Sequence, residues 1–362
     1  MDLTYFLDRF SEPWVLTIGG FLAGALFGGF AQQSRFCLRA AALDFAHGVF
    51  GVRLSIWLFA FSAALLGTQL LVGVGEVQSQ EARQLASPQS LSGAALGGIM
   101  FGVGMVLARG CASRLLVLSA TGNLRALLSG LVFAVIAQAS LRGILKPLRE
   151  WFAGLWTTAD IGGNDLIAHL GLSQTAVIAF ALLWFAAGLA IAIRARTKPW
   201  QAFSACVAGL AVPLAWWFTS SVASQAFDPV QIEGITFTGP SADTLMLFLS
   251  PAHSALDFGI GLVPGVFAGS FIAALLTREL ELQGFEGGRS MARYGTGAGL
   301  MGFGGMLAGG CAVGAGITGA SVFAVTAWIT LSAIWLSAGL TDYALNGRPV
   351  RNGRAGAAIE TP

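Results

Sequence analysis

Three of the four cysteines close similar stretches of chain. Cys111 closes GGIMFGVGMVLARGCA, Gly97 to Ala112, and Cys311 closes GAGLMGFGGMLAGGCA, Gly297 to Ala312, two hundred residues later. Eight of the sixteen positions are identical: Gly97/Gly297, Gly102/Gly302, Gly104/Gly304, Leu107/Leu307, Ala108/Ala308, Gly110/Gly310, Cys111/Cys311 and Ala112/Ala312. A weaker third copy, FGGFAQQSRFC from Phe27 to Cys37, matches Phe101, Gly102, Arg109 and Cys111 in the same register. What recurs is a run of small residues, over which backbones approach closely, ending at a thiol. Free cysteine is among the most buried residue types and usually only packs. Repetition at one register beside Gly110 and Gly310 argues for function at Cys111 and Cys311, and by extension at Cys37. Cys206 has no counterpart and reads as packing.

Each of the three cysteines stands where a short apolar stretch begins: Cys37 to about Phe45, Ala112 to Ala120, and Ala312 to Ala320. These stretches are too short to cross a bilayer and read as half-helices. A helix broken inside a membrane leaves free N–H groups at the start of its second half, and its dipole makes that end partly positive. Such ends attract anions. Irregular backbone at that depth must be buried in protein or line a watery cavity. The chemistry is that of a narrow waist ringed by S–H groups and backbone donors. Arg35 and Arg109 would add positive potential, although arginine is also expected on the side where they fall. Asn123, after the break Thr121-Gly122, reads as a helix cap. His47, His169 and His253 have no partner spacing and read as surface or interfacial.

Several classes are set aside by what the chain lacks. Without CxxC or Cys/His ligand spacing, no structural zinc and no metal or cofactor is expected. Cysteines inside apolar segments make a poor secreted disulfide framework. Walker motifs, Ser/His/Asp arrangements and haem-ligand spacing are missing too, so neither an enzyme nor a nucleotide-driven pump is expected. Nor is a nucleic-acid partner. No Asp or Glu falls in the middle of an expected span, whereas ion-coupled carriers commonly use one. That favours a channel-like path.

The elements that must position the thiols follow from composition. The 362 residues are 55% hydrophobic and 10% charged, with a mean hydropathy of +0.73, against roughly 25% charged in a soluble domain. The chain is expected to be an all-α integral membrane protein in contact with lipid. About 20 apolar residues span a bilayer as helix, and nine candidates appear: Trp14–Ala31, Leu54–Val74, Leu91–Ala108, Leu124–Leu141, Thr175–Ile193, Ala202–Ser221, Ala255–Thr277, Tyr294–Ala308 and Val322–Leu340. Small-xxx-small spacing such as Gly20, Gly24 and Gly28 suits close helix contact. The polar first residues do not resemble a cleavable signal peptide. The longest polar interruption, Leu141 to Leu170, would hold an amphipathic surface helix around Trp151 to Trp156, and Thr236 to Pro240 reads as loop.

Four spans in residues 1–145 and four in 200–341, separated by a polar connector and one linking span in 146–199, put two repeats in opposite orientations. That is the inverted-repeat plan of many transporters. Residues 342–362 read as a disordered tail. Fifteen of the twenty Lys and Arg fall on the side shared with the C-terminus, against Arg9, Arg83, Arg142, Lys146 and Arg149 on the other. Dropping Arg35, Arg39, Arg109 and Arg114, which could serve the site, leaves eleven against five. The positive-inside rule then puts the C-terminus in the cytoplasm and the N-terminus outside.

The runs ARGCASRLLVLSATGNLRALLSG at Ala108 to Gly130, SRFCLRAA at Ser34 to Ala41, TFTGPSAD at Thr236 to Asp243 and GGCAVGAGITG at Gly309 to Gly319 resemble the YeeE/YedE family of sulfur-compound transporters. The resemblance implies an hourglass-shaped, pseudo-symmetric helical fold in a bacterial inner membrane. It further implies uptake of thiosulfate, or of another sulfur or selenium compound, handed along Cys37, Cys111 and Cys311 through S–H to sulfur hydrogen bonds. Thr238 falls roughly where Cys37 would in the second repeat, giving three thiols and one hydroxyl. A small cytoplasmic TusA-like sulfurtransferase is the partner it implies. A thiol is a weak donor and a weak acceptor, and conduction needs sites weak enough to release the ion. The alternative is a sulfur-transfer enzyme in which one cysteine carries a persulfide. That needs a reactive, accessible thiol beside a base or cation, which Arg109 offers Cys111 and nothing offers Cys311.

Overall fold

The computed structural model describes residues 9–249, 256–285 and 287–347. The chain there is helical, with no sheet among the described residues. Helices α1 (Glu12–Ser34), α2 (Leu38–Ala46), α3 (Val52–Gly73), α4 (Leu91–Leu107), α5 (Ala112–Ala120) and α6 (Leu124–Leu141) come first, followed by the surface helix α7 (Lys146–Ala153) and α8 (Gln174–Ala195). Then come α9 (Pro199–Ala223), α10 (Thr238–Leu249), α11 (Phe258–Thr277), α12 (Gly288–Leu307), a π-helical segment Ala312–Thr318, and α13 (Val325–Asn346). Among the described residues, eight helical stretches are long and apolar enough to cross a bilayer, with 91–120 and 288–321 each counting as one broken span. The ninth, α13, has 22 residues and is long enough, but Thr326, Thr330, Thr341 and Asp342 lower its hydropathy. The protein is an all-α, multi-pass membrane protein.

Glycine decides which helices touch. A Cβ built on Gly20, Gly24 or Gly28 of α1 would run into the backbone of Phe258, Leu262 and Val266 on α11, and Gly261, Gly265 and Gly269 of α11 meet Thr17, Phe21 and Ala25 in return. The numbers rise together, so the two helices are parallel. Helices α4 and α12 cross antiparallel. A Cβ on Gly97 would stand 2.5 Å from the Gly304 oxygen, and one on Gly304 2.7 Å from that of Gly97. Similar contacts join α4 to α13, at 2.9 Å from Gly98 to Thr330 O, and α12 to α6, at 2.7 Å from Gly302 to Phe133 O. Without a hydrophobic force between helices in lipid, such backbone proximity and its dispersion contacts are what hold them.

Four local expectations change. The surface helix of the connector runs from Lys146 to Ala153, earlier than Trp151–Trp156, because Pro147 suits a first turn; Trp156 lies beyond it and accepts from Leu91 N at 2.9 Å. Thr236–Pro240 is not all loop. Thr238 starts the 12-residue α10, since Pro240 lies in a first turn where its missing N–H costs nothing. The polar tail begins later than residue 342, because α13 continues to Asn346. Asp342 there is buried and pairs with His47 Nε2 at 3.0 Å, which also gives His47 the partner its spacing did not suggest. The remainder of the tail, with Arg348, Arg351 and Arg354, lies outside the described residues, as do His253 and the start of the expected span at Ala255.

Candidate functional site

The three cysteines share one backbone device. Arg35, Arg109 and Gly309, each two residues before a cysteine, take left-handed φ values of 56°, 58° and 78°. The next N–H then reaches back five residues: Phe36 N to Ala31 O at 3.0 Å, Gly110 N to Met105 O at 3.2 Å, Gly310 N to Gly305 O at 2.8 Å. This is the Schellman closure that satisfies orphan carbonyls at a helix end. The cysteine follows in extended conformation as the N-cap of the next helix. Its carbonyl starts the new helix, with Ala41 N to Cys37 O at 3.2 Å, Leu115 N to Cys111 O at 2.9 Å and Ala315 N to Cys311 O at 2.8 Å. A thiol and the first N–H groups of a helical segment are thus presented together three times. Two of the three left-handed residues are arginine, at a backbone cost of about 1–2 kcal/mol each.

The thiols converge on one region. Cys111 is within electrostatic reach of both Cys37 and Cys311. Its Sγ lies 3.4 Å from Ser113 Oγ, and Cys311 Sγ accepts from Gly314 N at 3.4 Å. Cys111 and Cys311 are each 1% exposed, whereas Cys37 is half-buried. Thr238, the first residue of α10, lies beside Cys311, so three thiols and one hydroxyl stand at four helix starts. Phe27 links two of these starts, its ring 6.2 Å from Phe36 and 5.4 Å from Phe237. Gly310 is held by space: an added Cβ would stand 2.7 Å from Ala315 N, while at Gly110 it would meet no closer atom than Leu115 Cδ2 at 3.3 Å.

The two arginines singled out by sequence look elsewhere. Arg35 is exposed and pairs with Glu279 at 3.5 Å. Arg109 lies over the Tyr294 ring at 5.8 Å, beside Arg125 at 4.9 Å and Arg293 at 5.5 Å. Asn123 caps α6 as its position suggested, its side chain accepting from Ala126 N at 2.9 Å. His169 is exposed, and half-buried Cys206 packs against the core. No group of three metal-ligating side chains occurs among the described residues.

Sequence reasoning missed a vestibule. A cavity of about 740 Å³ opens at the end of the molecule that holds the start of α1, and Arg83, Arg142, Arg149, Glu233, Asp243 and Asp257 line it. Thr236, Thr238, Gly309 and Gly310 reach into its lining as well, which sets the cavity directly against the Cys311 break. Arg83 donates to Gly309 O at 3.2 Å, and Arg142 pairs with Asp243 at 3.4 Å. Burial pushes the Glu233 carboxyl up to about 7; Arg83 opposes the shift, and Asp257 and Asp243 add to it. These charged residues come from four separate connections and from α10, and no periodicity in the chain announces that they meet.

The family model for sulphur transport matches residues 33–340, which include all four helix starts. The chain belongs to the sulphur transport family. The thiosulfate transporter TsuA of Escherichia coli strain K12 is 27% identical over 359 residues, covering 95% of this chain and 98% of that protein. The thiosulfate transporter TsuA of Spirochaeta thermophila is 27% identical over 326 residues, covering 86% of this chain and 93% of that protein. As a family member this protein is a transporter of sulfur compounds and not an enzyme, in agreement with the resemblance its motifs carry.

Proposed function

We propose that this protein takes up thiosulfate, admitting it from the vestibule past Thr238 to Cys311, then to Cys111 and out past Cys37. The observation that carries this reading is the triple recurrence of one geometry, a thiol at the N-cap of a broken helix, with Cys111 in reach of both others. Backbone N–H groups and helix dipoles favour the oxyanion end, and the thiols greet the terminal sulfur without holding it. The names of the two relatives supply the cargo. The path runs from the periplasm to the cytoplasm of a bacterial inner membrane, because the arginine-poor vestibule end faces outward under the positive-inside rule. Two inverted repeats, 1–145 and 200–341, account for the pairing of α1 with α11 and of α3 with α9, each equivalent to the other when the halves are exchanged. A TusA-like carrier would receive the product at the arginine-rich end.

Uptake of sulfur-labelled thiosulfate into cells stripped of their own sulfate and thiosulfate importers tests the relay. Cys111→Ala and Cys311→Ala at matched expression are expected to lose about tenfold or more of the uptake, as each removes a hydrogen-bonding site on a serial path. Full uptake in both variants would reduce these cysteines to packing. A persulfide trapped on either thiol during turnover would favour sulfur transfer, which two side chains at 1% exposure do not invite.

A further inference from the structure

One cation inside the broken span has no task in the relay described above. Arg114 lies in the first turn of α5, three residues after Cys111. Its Nη1 is shut off from solvent and has no hydrogen-bond partner among the described residues. Cys37 and Cys111 are the nearest ionisable groups around it, with Arg35 and Glu279 beyond them. Glu279 lends it a negative field but no direct contact: Arg35 pairs with that carboxylate at 3.5 Å and Gln32 donates to it at 2.9 Å. Protonated thiols carry no charge. The guanidinium therefore stands without a directly paired counter-ion, in a place where burying an unpaired charge is costly.

Around it are the starts of α2 and α5, each nine residues long and each capped by a cysteine. Their free N–H groups add positive potential and leave the Arg114 charge uncancelled. The missing element is a small, doubly charged anion that accepts hydrogen bonds and visits rather than stays.

We propose that Arg114 is the counter-charge that binds a divalent sulfur oxyanion between Cys111 and Cys37, forming a second resting site on the far side of the waist from the vestibule. It rests on the reading of the chain as an oxyanion transporter. Arg114 gives that reading a selectivity the thiols lack, since thiols alone would also greet neutral sulfur compounds. A guanidinium in a water-poor site binds a dianion and rejects a neutral molecule of the same size.

The test is thiosulfate titration of the purified full-length protein in detergent, following its melting temperature and dissociation constant, together with cellular uptake. Arg114→Met is expected to raise the dissociation constant about tenfold or more and to cut uptake to match, while Arg114→Lys stays within a few-fold of wild type. Without ligand, the Arg114→Met protein is expected to melt no lower than wild type, because an apolar replacement relieves an unpaired buried charge. Unchanged thiosulfate affinity in Arg114→Met overturns the assignment. So does a ligand-free melting temperature that falls sharply in Arg114→Met and binding that Arg114→Lys fails to restore, which would mark a structural residue. If the wild type ignores thiosulfate, the uptake reading fails by itself. The same titration with sulfite, sulfate and selenite then decides Arg114, whose site requires an Arg114-dependent melting shift with one of these anions and is overturned if none produces it.

Discussion

The breaks at Cys111 and Cys311 share a backbone and differ in everything after it. Beyond Cys111 the chain resumes as a regular α-helix that carries Ser113 and Arg114. Beyond Cys311 it resumes as a π-helical segment, AVGAGIT, every residue of which is buried and none charged. The first break carries a cation, Arg114, in the turn that follows its thiol. The second has none and borders a cavity whose arginines and carboxylates stand outside it. The difference teaches that repetition has kept the geometry of thiol presentation while the electrostatics were assigned separately to the two sides. Charge lies in the cavity lining beside the Cys311 break and in the helix turn itself beside the Cys111 break.

The sharpest way to break this comparison is through the two glycines before the thiols. Gly310→Ala would press a Cβ against the Ala315 nitrogen at 2.7 Å, so the tight π-helical turn must shift. A loss of about 1–3 kcal/mol is expected, read as a lower melting temperature, with uptake falling about tenfold as the Cys311 thiol moves. Gly110→Ala meets only the end of a leucine side chain at 3.3 Å and should keep uptake within about twofold. Equal tolerance at both positions would mean that the two breaks are not under different packing constraint.

The vestibule offers a test of moderate size. Glu233, with its carboxyl pushed to about 7 by burial, is largely neutral at pH 6 and charged at pH 8, while the cargo remains a dianion throughout. Charging it adds repulsion beside Arg83, Asp243 and Asp257. Initial uptake rate at low substrate is therefore expected to be roughly two- to fivefold higher at pH 6 than at pH 8. Glu233→Gln should flatten this profile near the higher level. A wild-type rate that rises with pH, or a variant that keeps the wild-type slope, would remove Glu233 from control of capture.

The smallest effect concerns the left-handed residues. Gly309→Ala, at φ 78°, is expected to lower stability by about 1 kcal/mol with little change in uptake. Arg109→Gly should gain about as much from backbone relief and return about half through the lost contact over Tyr294. Thermal melts of the two variants moving in the same direction would contradict a shared capping geometry.

Most of this was legible in the chain because it depends on local order. Apolar run lengths located the long helices, missing the start of α12 and the end of α13 by about two turns where polar residues extend them, and the repeated Gly-Cys register located all three N-cap thiols. Asn123 was recognisable because capping is a matter of residue type and position. The rest depends on distant pairing. Nothing near His47 points to Asp342, almost three hundred residues away, and the vestibule draws Arg83, Arg142, Glu233 and Asp257 from separate connections. Helix α10 was hidden by Gly239 and Pro240, which signal a loop unless they fall in a first turn. The roles expected of Arg35 and Arg109 were read from proximity in sequence to the thiols. Their left-handed backbone turns both side chains outward, to Glu279 and Tyr294.

The glycine seam between α1 and α11 constrains how the protein can move. With carbonyl oxygens of one helix filling the places where the other would carry Cβ atoms, the two helices cannot slide by a fraction of a turn without colliding. A carrier that alternates by swinging one half against the other would have to unzip this seam and its equivalent between α3 and α9 in every cycle. The seam therefore favours a fixed frame over a rocking one. On the proposed path, opening for a sulfur anion then falls to rotamers of a few side chains beside the thiols, such as Phe27, Phe36 and Phe237, and the transport rate is expected to follow how fast those rings turn aside.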